Sequence, residues 1–206
     1  MNKIIVLFSL VIALSSCELF HRSSNQNLLF FDKENVKSIL TKELVLMADT
    51  SFKVGKPSKH ICPDSTQCNE LTKFLRTVRK EEGELPLVTR YYFGEDSIVQ
   101  FVKCEWTQTV PGLTVQERER LMIIESKRFD VYVKKLNEIA NQLQLTMGEP
   151  IANDGEIKKN KTSLLDIYNY SISFEKDNKH VDLKLAWSPK RGARIFRVWA
   201  KVYWLK

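Results

Sequence analysis

Three thiols carry the chemistry most easily read from spacing. Cys62 and Cys68 enclose Pro-Asp-Ser-Thr-Gln, a turn-forming run that lets the two meet. A Cys62–Cys68 disulfide is expected in an oxidising compartment, and closing so small a loop contributes about 2 kcal/mol. His60 offers the alternative of a metal site with Cys62 and Cys68. A closed zinc site needs four ligands, however, and no second His or Cys pair lies nearby. Redox chemistry of the thioredoxin type uses Cys-x-x-Cys, whereas five residues separate this pair. Cys104 shares a period-two face with Ile98, Val102 and Trp106, the pattern of a small buried hydrophobe. No metal and no cofactor are expected.

The second group with chemical potential is basic and aromatic. Residues 176–206 hold nine Lys/Arg against two acids, although the whole 206-residue chain carries only +7. If Phe196, Val198 and Trp204 face a core, then Arg197, Trp199, Lys201 and Tyr203 face outward on the same strand. With Lys184 and Arg194 they form a ladder suited to polyanions or flat ligands. The competing reading is that these lysines merely block edge-to-edge aggregation.

Catalytic signatures are missing from the sequence. There is no His-Glu-x-x-His, no Gly-x-Ser-x-Gly and no phosphate-cradling glycine loop. His21, His60 and His180 fall in polar or turn-like surroundings that read as surface. No catalytic residue is assigned. Carboxylates converging from distant segments stay open as an alternative.

The elements that must position these residues begin after an export signal. Lys3 precedes an apolar run from Ile4 to Leu14, broken only by Ser9, and small residues follow. That is the order of a secretory signal, and eleven helical residues rise only about 16 Å, too short to span a bilayer. Leu14-Ser15-Ser16-Cys17 resembles the lipobox of bacterial lipoproteins. The resemblance implies that Cys17 is lipidated and becomes the mature N-terminus, with residues 1–16 removed. An ordinary cleaved signal is the alternative. Glu18 is not the aspartate that retains such proteins in the inner membrane, so the resemblance implies an outer-membrane lipoprotein facing the periplasm. Residues 18–27 read as a polar tether with a reach of roughly 18 Å. Residues 28–206 then form one domain, consistent with 43% hydrophobic and 28% charged residues.

Within that domain four segments read as helical. Asp32 is the expected N-cap for a stripe of Val36, Ile39, Leu40, Leu44 and Met47. Leu71, Phe74, Leu75 and Val78 give a second stripe stopped by Gly83, and Thr114–Ile124 a third. Phe129 to Leu143 gives the best one, ending at Met147-Gly148-Glu149-Pro150. Five strands follow from alternation: Leu87–Phe93, Ile98–Thr107, Tyr168–Glu175, Val181–Trp187 and Phe196–Trp204. Residues 151–163 read as a solvated loop. The expectation is an α+β domain with an antiparallel sheet of about five strands and helices on one face. A helix, Gly148-Glu149-Pro150, a loop and three antiparallel strands also resemble small periplasmic scaffold lipoproteins of the BamE and beta-lactamase-inhibitor-protein type.

These features point to a non-catalytic, lipid-anchored envelope protein. It is expected to meet the membrane through its anchor and a protein partner or anionic envelope component through the C-terminal ladder. An immunity or inhibitor lipoprotein is the specific form. An envelope-assembly scaffold and a hydrolase with a dispersed carboxylate site are the alternatives. Export argues against nucleic acid.

Overall fold

The structure is a computed structural model. It describes residues 29, 31–57, 65–80, 84–108, 114–125, 127–162, 165–190 and 193–204. The signal, Cys17, the tether of residues 18–27 with His21, and His60, Cys62 and Gly83 lie outside the described residues.

The elements in order are α1 (Val36–Val45), β1 (Asp49–Val54), α2 (Ser65–Glu70), β2 (Lys73–Arg79), β3 (Leu87–Phe93) and β4 (Val99–Trp106). There follow α3 (Val115–Glu125), α4 (Phe129–Met147), β5 (Ala152–Asn153), β6 (Lys158–Thr162), β7 (Leu165–Lys176), β8 (Lys179–Lys190) and β9 (Ala193–Trp204). All nine strands join one antiparallel sheet in the order β1-β2-β3-β4-β9-β8-β7-β5, with β6 also on β7. The α+β class and antiparallel pairing are as expected, but the sheet is larger than about five strands.

The four added strands each have a physical reason. β2 was expected as a helix because Leu71, Phe74, Leu75 and Val78 fit a 3.6 period. It is a strand covered on both faces, with Leu75, Thr77, Val78 and Arg79 all buried, so its apolar residues do not alternate. β1 is a solvent-facing edge strand with no alternation to read. β5 and β6 lie in the stretch expected as a loop and pair with β7, which recruits polar chain through backbone hydrogen bonds, helped at β5 by the Tyr170 hydroxyl donating to the Asn153 side chain.

α1 is capped by Asn35 rather than Asp32, the Asn35 carboxamide accepting from the Lys37 N–H at 2.9 Å. Its inward residues are Val36, Ile39 and Glu43, while Leu44 and Met47 of the expected stripe are exposed. α3 begins with the Thr114–Glu117 capping box, and Ile124 stands exposed. α4 lays Tyr132, Leu136, Ile139, Leu143 and Met147 toward β7, β8 and β9. Phe196 meets Phe129 and Tyr132 at ring separations of 5.2 and 5.7 Å. Cross-strand partners such as Val181, Leu183, Val198, Ala200 and Val202 complete this core. The hairpin β7–β8 turns through Asp177 and Asn178, both left-handed, as a two-residue turn on right-twisted strands requires.

The inner sheet face, toward α1 and α4, is therefore the core. The short α2 sits differently: Cys68 and Leu71 pack on Tyr92 and Phe101, which belong to the outer face. Helix coverage is thus not confined to one face.

Candidate functional site

The outer face is built by register. On β9, Phe196, Val198, Ala200 and Val202 are buried, and Arg197, Trp199, Lys201 and Tyr203 alternate with them, as expected. Lys184 lies opposite Trp199, and Lys201 opposite Asp182. Arg194 lies on β9, but its side chain is outside the described residues.

Pairing across the other edge of β9 adds residues that the sequence did not point to. Lys201 faces Lys103, Lys103 faces Arg90, and Arg90 faces Arg76. Directly paired residues on antiparallel strands share a face, so Arg76, Arg90, Lys103 and Lys201 form one row across four strands. Alternation within β3 and β4 marks Arg90 and Lys103 as outward. Nothing local in the sequence tells that β4 pairs with β9.

The anions on this face are few and shared. Glu105 meets Arg197 at 3.1 Å, Lys103 at 3.5 Å and Arg90 at 3.6 Å. Asp182 accepts from Ser173 at 2.8 Å, lies 3.1 Å from His180 Nε2 and 3.8 Å from Lys201. Arg76 has no ion-pair partner among the described residues, and its buried Nε–H finds no acceptor; the same holds for the Nε–H of Arg197. Burial, with neighbouring cations, holds Arg76, Lys103 and Lys201 below their ordinary proton affinity, and Asp49, Glu105 and Asp182 respectively only partly oppose it.

The aromatics are not free stacking surfaces. Lys184 and Lys201 place their ammonium groups 5.5 and 5.3 Å from the Trp199 ring centroid, so that ring already serves two cations. Tyr203 packs on the cluster of Phe74, Tyr92 and Phe101, and its neighbour His180 stacks on it at 4.7 Å. Burial, then Asp182 and Glu175, push the Tyr203 phenol up to about 12. His180, expected at the surface, is half-buried here.

Catalytic arrangements fit this geometry poorly. In a nucleophilic triad the imidazole stands between hydroxyl and carboxylate. Here Ser173 and His180 both approach the same Asp182 oxygen, so the carboxylate stands between them. Glu105 and Asp182 are acceptors for several cations rather than an acid paired with a base. Among the described residues no group of three or more His, Cys, Asp and Glu is gathered for a metal ion.

Cys68 is disulfide-bonded, whereas Cys104 is a free buried thiol. Cys62 lies outside the described residues, so its pairing with Cys68 belongs with the proposals below.

No protein-family model and no curated protein matches the chain. Among solved structures it is similar to LpqN, involved in cell envelope biogenesis of Mycobacterium tuberculosis. The identity is 9%, the match covers 76% of this chain and 73% of that one, and the TM-score is 0.20. A likeness this slight carries neither fold nor function across.

Proposed function

We propose that this chain is a non-catalytic, lipid-anchored envelope protein that binds a partner through the outer sheet face. The single observation carrying this is the common orientation of Lys184, Arg197, Trp199 and Lys201 on the face turned away from the α4 core. A fold with no need of these residues for its interior holds them rigidly together. The anchor comes from Cys17, and the tether keeps the domain within roughly 18 Å of the bilayer. A Cys62–Cys68 disulfide is the expected state of the nearby turn. The specific form is an immunity or inhibitor lipoprotein of the outer membrane, facing the periplasm. A compact binder without catalytic groups is suited to blocking an incoming protein.

Two measurements test this. Cys17→Ser should abolish palmitate incorporation and move the protein from the membrane fraction to the soluble one; unchanged fractionation removes the anchor. Capture of envelope proteins by the lipidated full chain, compared with its Arg197→Glu/Lys201→Glu variant, tests the face. Partners retained equally by both would remove it. Disturbed outer-membrane composition on deletion, with no inhibited activity released, would support the scaffold alternative instead.

A further inference from the structure

The row Arg76–Arg90–Lys103–Lys201 contains three successive cross-strand pairs of like charge. Such pairs destabilise a sheet when nothing lies between them. Their neutralisation within the chain is thin. Glu105 is divided among three cations, and Arg76 feels the Asp49 carboxylate without a salt-bridge contact among the described residues. The fold therefore bears a local cost that its own core does not require, and such inconsistencies concentrate at functional sites.

The geometry points to an acidic segment of a protein partner as the ligand of this face, its carboxylates lying along the row Arg76–Arg90–Lys103–Lys201. This deepens the proposed function and rests on it for the location of the face. Three interstrand spacings make the row roughly 14 Å long. Alternate side chains of an extended segment stand about 6.8 Å apart, so about three carboxylates span it. Arg76 and Arg90 present planar donor forks that match carboxylates two bonds at a time.

The surroundings select a protein over a membrane surface. Lipid headgroups attract exposed, mobile lysines. Here the Lys103 and Lys201 side chains are only 18% and 12% exposed. Phe74, Tyr92, Phe101 and Tyr203 border the row on one side, and Val78, Val88, Glu105 and Trp199 on the other. Held arginines and lysines among aromatics lose little freedom on binding, which is the composition of a protein-interface centre.

The test is calorimetric titration of the full-length lipidated protein, in detergent micelles, with a short polyglutamate peptide. Binding is expected that weakens as salt rises. It should fall roughly tenfold or more in each of Arg76→Gln, Arg90→Gln and Lys103→Gln. Arg90→Lys should restore part of it, and unfolding midpoints no lower than that of the parent protein confirm that the variants fold. Equal binding in all three glutamine variants overturns the inference. So does full displacement of the peptide by glycerol phosphate at equal anion concentration, which would assign the row to phosphate groups. Envelope capture that survives these three substitutions but is lost in Arg197→Glu/Lys201→Glu overturns this ligand while leaving the proposed face standing.

Discussion

Arg79 donates from Nε and Nη2 to the two carboxylate oxygens of Glu43, both at 2.8 Å, with both side chains out of solvent between α1 and the sheet. The Tyr91 hydroxyl donates to the same carboxylate at 2.6 Å. Burial first, and Glu43 beside it, push that phenol well above its usual range, so it stays a donor. Breaking such a pair strands a charge in the interior. Glu43→Leu should therefore cost about 3–5 kcal/mol, while Glu43→Leu with Arg79→Met should recover most of the loss. Urea unfolding of both variants reads this, and a cost below about 1 kcal/mol for Glu43→Leu would sink the account.

Cys104 stands one strand away on the same inner face, accepting a weak hydrogen bond from Thr89 at 3.7 Å. Burial pushes its thiol up to about 12. Little more than about one molecule in ten thousand is then thiolate at pH 8, and the thiolate is the reactive form. Iodoacetamide at pH 8 should leave Cys104 untouched in the native protein and modify it fully in denaturant. Mass mapping of the peptide that carries it checks both outcomes, and rapid native labelling would show the thiol to be accessible.

Glu43 also shows where sequence reading stops. In α1 the helical period correctly selects Val36 and Ile39 but also Leu44 and Met47, which are exposed, while the further position that meets the core is a carboxylate whose partner lies 36 residues away. β7, β8, β9 and α4 were legible because each has one buried face and a clean period. β2 was not, since burial on both faces erases alternation and leaves a false helical spacing. The site divides in the same way. Its β8–β9 half followed from alternation along contiguous chain. Arg76, Arg90 and Lys103 join it only through the β4–β9 pairing, a long-range register that no local pattern encodes.

Lys103 links binding to stability with opposite signs. Burial lowers its proton affinity in the folded state, against the help of Glu105. The charged form is therefore disfavoured by folding. That penalty is fully present below the folded-state pKa and fades as pH rises toward the ordinary lysine value of 10.5. Lys103→Met should raise stability at pH 7 by about 0.5–1 kcal/mol, with the gain shrinking as pH rises through the lowered folded-state value toward 10.5. The same variant should lose partner binding. Thermal unfolding across pH reads the first effect, and a destabilised variant at pH 7 would contradict it.

Lys135 behaves in the reverse sense. Its side chain is only 4% exposed and reaches Glu138 at 2.7 Å and Glu84 at 2.9 Å. Burial works against its charge, but the two carboxylates prevail and raise its proton affinity above the ordinary 10.5. A raised lysine stabilises the fold below its unfolded-state value, and that stabilisation is lost as pH climbs through the folded-state value. Lys135→Met should cost about 1–3 kcal/mol at pH 7 and flatten the alkaline fall in stability. A variant with the full alkaline slope would place the responsible group elsewhere.

Gly148 isolates a purely backbone effect. It ends α4 at φ 92° and ψ −163°, where its N–H donates to Gln144 O at 2.9 Å. That region of backbone space is nearly closed to residues with a Cβ. A Cβ built there would meet nothing within 4 Å, so crowding plays no part. Gly148→Ala should cost about 1–3 kcal/mol from conformation alone. Gly94 is the matched control: its φ is not positive, and a Cβ would meet only the flexible ends of Asp96 and Gln100 at 3.3 Å. Gly94→Ala should therefore shift the unfolding midpoint much less. Equal losses at the two glycines would mean that the positive-φ conformation after α4 does not set the cost at Gly148.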